Sequence, residues 1–126
     1  MLDNQTEQIF KNVLDACFKV HKTLGPGLLE SAYEVCLVHE LQKMGLKVRK
    51  QVALPVQYEN IELDAGYRID LLVEETVIVE LKAVDELNPI HIAQVLTYLK
   101  LSKLKLGSLV NFNVKLLRNG IKRIIL

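Results

Sequence analysis

GYRIDLLVEETVIVELKAV, residues 66–84, decides the fold. It contains two runs rich in Ile, Leu and Val, each interrupted by one acid (Asp70, Glu80), on either side of Glu74-Glu75-Thr76. Runs of this length around a short polar break read as two strands, over 67–73 and 76–84. With a three-residue loop, Val73 faces Val77 and the register runs back to Asp70 opposite Glu80. Opposed residues share a face, so the two carboxylates point the same way, with Lys82 and Arg68 beside them. The other face is then Ile69, Leu71, Val73, Val77, Val79 and Leu81, all apolar. A two- or four-residue loop breaks this segregation, so the hydrophobic pattern favours the odd register, although the loop lacks the glycine such turns favour.

Like charges opposed in a sheet are destabilising, and Glu80 interrupts an otherwise buried run. Two arrangements offset that cost. A divalent cation can bridge both carboxylates, since Mg²⁺ takes hard oxygen ligands. Alternatively, Arg68 and Lys82 neutralise the pair as a salt-bridged patch.

Upstream, Ile9, Val13, Ala16, Cys17, Val20 and Leu24 recur at helical spacing over residues 4–24. Asn4 or Thr6 is placed to cap that helix, and Gly25-Pro26-Gly27 stops it. A second helix puts Leu29, Ala32, Tyr33, Cys36, Leu37, Leu41 and Met44 on one side and ends at Gly45. Residues 47–58 alternate as a strand, with Pro55 marking an edge or bulge, and 61–64 begin another. Downstream, Asn88-Pro89 opens a helix with Ile92, Val95, Leu96 and Leu99 as its apolar stripe. Gly107 ends that region, and strands at 108–116 and 121–126 meet at an Asn119-Gly120 turn. The order α-α-β-β-β-β-α-β-β predicts an α/β fold with a mixed central β-sheet flanked by helices.

The chain has 126 residues, half apolar and a quarter charged, the balance of one globular domain over 1–126. Its longest stretch without Asp, Glu, Lys or Arg is 13 residues, Leu87–Leu99, against roughly 20 for a membrane span. The first residues carry no secretory signal, and the expected location is cytoplasmic. Two cysteines, Cys17 and Cys36, are too few for a disulfide framework or a four-thiolate cluster, and both sit in apolar helical patterns. Charge is segregated: residues 59–86 carry 9 acids and 2 bases, whereas residues 100–126 carry 7 bases and no acid. An acidic centre beside a basic tail suits a site that holds a cation and attracts a polyanion; two oppositely charged solvated faces would look the same.

Two further pairs bear on the site. Glu30 and Tyr33 are three apart at the start of the second helix, and Gln94 and Tyr98 are four apart on the third. Each has a plain explanation: a helix dipole favours an acid in the first turn, and Tyr98 extends an apolar stripe.

In combination, Glu30, Asp70, Glu80-Leu81-Lys82 and Gln94-x-x-x-Tyr98 resemble, in order and position, the PD-(D/E)XK nuclease superfamily. The Gln/Tyr helix motif is similar to that of its RecB-type branch, and Gly27–Tyr33 resembles the motif that names the GxxExxY family. The resemblance covers residues 20–100. It implies a restriction-endonuclease-like core that hydrolyses nucleic acid, DNA in preference to RNA, with Mg²⁺ or Mn²⁺ held by Glu30, Asp70 and Glu80. Lys82 would orient or help deprotonate the attacking water, and Gln94, Tyr98 and Tyr33 would support the site or touch nucleic acid. Ile69 stands where the motif has Pro. The cysteine set with which some relatives hold an iron–sulfur cluster is missing, so no such cluster is expected. His21 is a further candidate ligand, since certain relatives use an upstream histidine, although a lone helical histidine is more often structural.

Two other functions compete: a catalytically silent module that binds nucleic acid or protein on a nuclease fold, and an oligomerisation role. For the latter, apolar edges at Ser108–Val114 and Ile124–Leu126 would favour a homodimer. No zinc finger or helix-turn-helix is visible for reading base sequence, and aromatic residues number only 7.

Overall fold

A computed structural model describes residues 2–126. Two helices, α1 (Asn4–Leu24) and α2 (Glu30–Lys43), precede β1 (Val48–Ala53), a short hairpin of β2 (Val56–Tyr58) and β3 (Ile61–Leu63), and then β4 (Arg68–Val73) and β5 (Val77–Lys82). Helix α3 (Pro89–Ser102), β6 (Leu106–Asn111), a 3-10 turn (Leu117–Gly120) and β7 (Ile121–Ile125) complete the chain. The central sheet runs β1-β4-β5-β6-β7, with β5 and β6 parallel and the other pairs antiparallel. The crossover between the parallel strands is α3, as such a pair requires.

Helices α1 and α2 cover one face of the sheet. Ile9, Val13, Cys17, Tyr33, Leu37 and Leu41 pack there against Leu71, Val73, Val77, Val79 and Leu81. Helix α3 covers the other, where Val95, Tyr98 and Leu99 meet Ile69, Leu72, Ile78 and Leu109. With both faces covered, β5 and β6 are almost wholly buried, and Glu80 is the charged exception at 3% exposure. This is the mixed, helix-flanked α/β sheet that the sequence predicts.

The hairpin has the expected register, with Val73 opposite Val77 and Leu71 opposite Val79. Its loop does without glycine because Glu74 and Glu75 both take left-handed backbone (φ 53 and 54). Such conformations are costly for residues with a Cβ. Here the side chains offset the cost: Glu74 accepts from the Lys47 amide at 2.5 Å, and Glu75 accepts two bonds from Arg49 at 2.7 and 2.8 Å.

Several local expectations are corrected. Asp3, rather than Asn4 or Thr6, caps α1, accepting from the Thr6 amide at 2.7 Å and holding its carboxyl below the ordinary range. Leu24, the last residue of α1, and Leu29 and Met44, which flank α2, are exposed, and of α2 only Tyr33, Leu37 and Leu41 are buried. The 47–58 strand breaks at Leu54-Pro55, and its second part turns away to pair with β3. Ile69 packs beneath α3 rather than with Leu71 and Val73. Gly107 lies inside β6, where a Cβ would meet Val95 Cγ1 at 2.9 Å, so it admits the close approach of α3. Residues 112–116 leave the sheet, and Asn119-Gly120 belongs to the 3-10 turn. Finally, β6 is interior, so Ser108–Asn111 is no edge; the edges are β1 and β7.

Candidate active site

At the open end of the β4–β5 hairpin the regular pairing stops after Leu71–Val79, and two carboxylates take over. The Asp70 amide donates to Glu80 Oε1 at 3.3 Å, and the Leu81 amide donates to Asp70 Oδ2 at 2.9 Å. Burial, then the hydrogen bond with Asp70 and its charge, push the Glu80 carboxyl up to about 10. Among the described residues, no ion pair involves Glu30, Asp70, Glu80 or Lys82. Arg68 is drawn instead to Asp64 at 3.7 Å, so the salt-bridged patch that would neutralise the two acids does not form.

Glu30 enters from the other side, in the first turn of α2. Its carboxyl is raised by desolvation and by the charge of Asp70, against a lowering influence from Lys82. Lys82 also acts in this sense on Glu80. The four groups therefore share one electrostatic neighbourhood, built from the end of the hairpin and the start of α2. Among the described residues, no three His, Cys, Asp or Glu side chains converge closely enough to form a finished metal cluster.

Tyr33 shows why α2 begins where it does. Fully buried, it stacks on Phe112 with centroids 4.6 Å apart and planes 9° from parallel. Its hydroxyl donates to the Gly25 carbonyl at 2.6 Å and accepts from the Leu28 amide at 3.2 Å. That burial leaves Tyr33 no surface to offer a ligand. Tyr98 is 5% exposed, and burial followed by the charges of Glu80 and Asp70 raises its hydroxyl. Gln94, one turn earlier, is half-buried beside it. His21 is buried near the end of α1, with its Nε2 on the Val114 carbonyl at 2.7 Å. The three-carboxylate neighbourhood does not include it.

Sequence reasoning missed several contributors. Gln51 falls opposite Asp70 in the β1–β4 register, with a left-handed φ of 52. Its amide donates to Glu34 Oε1 at 3.2 Å and to Asp70 Oδ1 at 3.4 Å. Extending the strand pairing from β4 to β1 would have found it. Asn111, Phe112 and Asn113 form a clasp that no local pattern announces. Asn111 Oδ1 accepts from the Val84 amide at 3.1 Å, and its Nδ2 donates to the Val84 carbonyl at 2.9 Å. The Phe112 amide donates to the Lys82 carbonyl at 3.0 Å. Asn113 Oδ1 accepts from the Gly27 amide at 3.1 Å, tying the end of β5 to the loop before Glu30.

The sequence model of the PD-(D/E)XK nuclease superfamily matches residues 7–124, and the chain belongs to that superfamily. Its fold is the mixed α/β core of those nucleases, which are usually phosphodiesterases and generally use divalent metals. No curated protein and no solved structure matches the chain. Among the described residues, no helix is long and apolar enough to cross a membrane.

Proposed function

We propose that this chain is a divalent-metal-dependent nuclease that hydrolyses DNA phosphodiester bonds, of the RecB-like branch and the GxxExxY group within it. The observation that carries this reading is the contact between Asp70 and a Glu80 that is 3% exposed and has no cationic partner. A buried acid in contact with a second, half-buried one, and with no cation at ion-pair distance among the described residues, is costly. A hard cation relieves that cost while using it. The donor set fits: carboxylates from Glu30, Asp70 and Glu80 are the oxygen ligands that Mg²⁺ and Mn²⁺ take.

Glu30, Asp70 and Glu80 would hold a divalent ion there, which would supply a water of lowered pKa and polarisation of a phosphoryl oxygen. The chain's own groups do the rest. Glu80, once deprotonated, would be one of the residues that hold the ion, and Asp70 keeps its place through the Leu81 amide. Lys82 orients the attacking water and neutralises charge that develops on the phosphate. Tyr33 and the Asn111–Asn113 clasp keep the starts of α2 and the end of β5 in register. Gln94 and Tyr98 support the carboxylates from α3, and the cations of the C-terminal segment contact flanking phosphates.

The test is cleavage of labelled single- and double-stranded DNA in Mn²⁺, with EDTA, Glu80→Ala and Lys82→Ala as controls. Metal-dependent cleavage lost in both variants supports the reading. Cleavage retained in Glu80→Ala overturns it. The open arrangement of the three carboxylates favours a second reading, a silent binding module on the same fold. Salt-dependent DNA binding without hydrolysis under any metal would establish that one.

A further inference from the structure

Beside the carboxylates, between α3 and the segment leading into β4, lies a cavity of about 450 Å³. Its wall includes Val56, Tyr67, Ile90, Gln94, Thr97 and Tyr98, and no charged residue lines it. Tyr67 and Tyr98 lie with ring centroids 6.4 Å apart at 60°. Tyr98 is buried, whereas Tyr67 is 45% exposed and Ile90 is 69% exposed, so the cavity is open to solvent. Tyr67 precedes Asp70 by three residues, a distance of about 10 Å along an extended strand. The hairpin face that carries Val56 also carries Tyr58 and Leu63, since alternate residues and cross-strand partners share a face. Tyr67 and Tyr98 thus line this trough, and Tyr58, which is exposed, lies on the hairpin face that carries Val56.

We propose that this trough binds unpaired nucleobases of a single strand, with the first base stacked on Tyr67 and its edge read by the Gln94 amide. The proposal rests on the nuclease reading and names the substrate form of that site. Charge selects the occupant. A trough without lysine or arginine has nothing to offer a phosphate backbone, whereas a neutral aromatic base finds ring faces, a carboxamide and hydroxyls. Only an unpaired base can use them, because pairing and stacking in a duplex bury its faces and edge. The backbone of the same strand is left free to run past Lys82.

The test uses a short single strand carrying one 2-aminopurine, titrated with the whole protein in EDTA so that nothing is cleaved. Stacking quenches the fluorescence. Tyr67→Ala is expected to weaken binding about 5- to 100-fold, with Tyr67→Phe and Tyr67→Trp restoring it. A duplex of the same sequence binds more weakly and does not respond to Tyr67→Ala. Unchanged affinity of Tyr67→Ala for the single strand overturns the proposal, as does an equal loss on duplex and single strand. A dimer in light scattering that Tyr67→Ala dissociates also overturns it, because a second copy then fills the trough. Cleavage by Lys82→Ala separates the two readings. Tyr67-dependent quenching in a protein whose cleavage ignores Lys82 supports the trough and sinks the catalytic assignment.

Discussion

Asp70 and Glu80 hold each other across the gap where β4 and β5 part, the amide of the first donating to Glu80 Oε1 at 3.3 Å. Burial of Glu80, with this contact, makes the metal-free protein a carrier of one proton. Folding raises the Glu80 carboxyl from its ordinary 4.5 to about 10, so between those limits the folded chain keeps a proton that the unfolded chain has released. Stability from this group is complete below pH 4.5 and declines as pH rises toward 10. Glu80→Gln mimics the protonated form. Without metal at pH 8 it is expected to be more stable than the parent by on the order of 2 kcal/mol. That gain should vanish near pH 4, and cleavage should be lost. Thermal melts of both proteins across pH check the sign.

Divalent cations should stabilise the parent far more than Glu80→Gln. Mn²⁺ that binds the folded parent raises its melting temperature with concentration. Binding displaces the Glu80 proton, so the gain grows with pH. Glu80→Gln, lacking the ligand, should show little of it. Melts at fixed pH with a series of Mn²⁺ concentrations measure this without any nucleic acid.

Lys82→Ala is expected to lower cleavage by ~10²–10³-fold, the usual loss when a donor to developing oxyanion charge is removed. Among the described residues Lys82 takes part in no ion pair, so the melting temperature should move by only a degree or so. Single-turnover kinetics beside a thermal melt would read both effects. A large fall in stability would make the residue structural instead.

Tyr33→Phe keeps the stack on Phe112 but leaves the Gly25 carbonyl and Leu28 amide without their shared hydroxyl. A loss of about 1–2 kcal/mol is expected from denaturant unfolding. Cleavage should fall too, since Leu28 lies just ahead of Glu30.

Gly107→Ala places a methyl against Val95 Cγ1, at 2.9 Å from an unshifted neighbour. Overpacking of this kind costs about 1–3 kcal/mol. The same urea titration tests it. An unchanged midpoint would mean that α3 can give way.

The hairpin register was legible because Leu71, Val73, Val77 and Val79 share one apolar face, packed against α1 and α2, which an even-numbered loop would divide between the two faces of the sheet. Helix α3 was equally legible, since Asn88 caps it and Pro89 sits in its first turn. The break at Leu54-Pro55 was not. Alternation continues through both strands, and only the pairing of β2 with β3 shows that the chain has left the sheet. Gly107 misled for a related reason. Its role is to admit a helix packed across a strand, a long-range matter that looks locally like a stop. The four charged candidates, Glu30, Asp70, Glu80 and Lys82, could be named from their resemblance to a family motif, whereas Gln51, Asn111 and Asn113 act through pairings whose partners lie far along the chain.

The clasp has a consequence for synthesis. A chain emerging from the ribosome displays Glu30, Asp70, Glu80, Lys82, Gln94 and Tyr98 well before Phe112 exists. Until then the Lys82 carbonyl lacks the Phe112 amide, the Gly27 amide lacks Asn113, and β5 lacks its parallel neighbour β6. On the proposed reading, the candidate site is thus translated early and completed late, only once β6 and the Asn111–Asn113 clasp are in place.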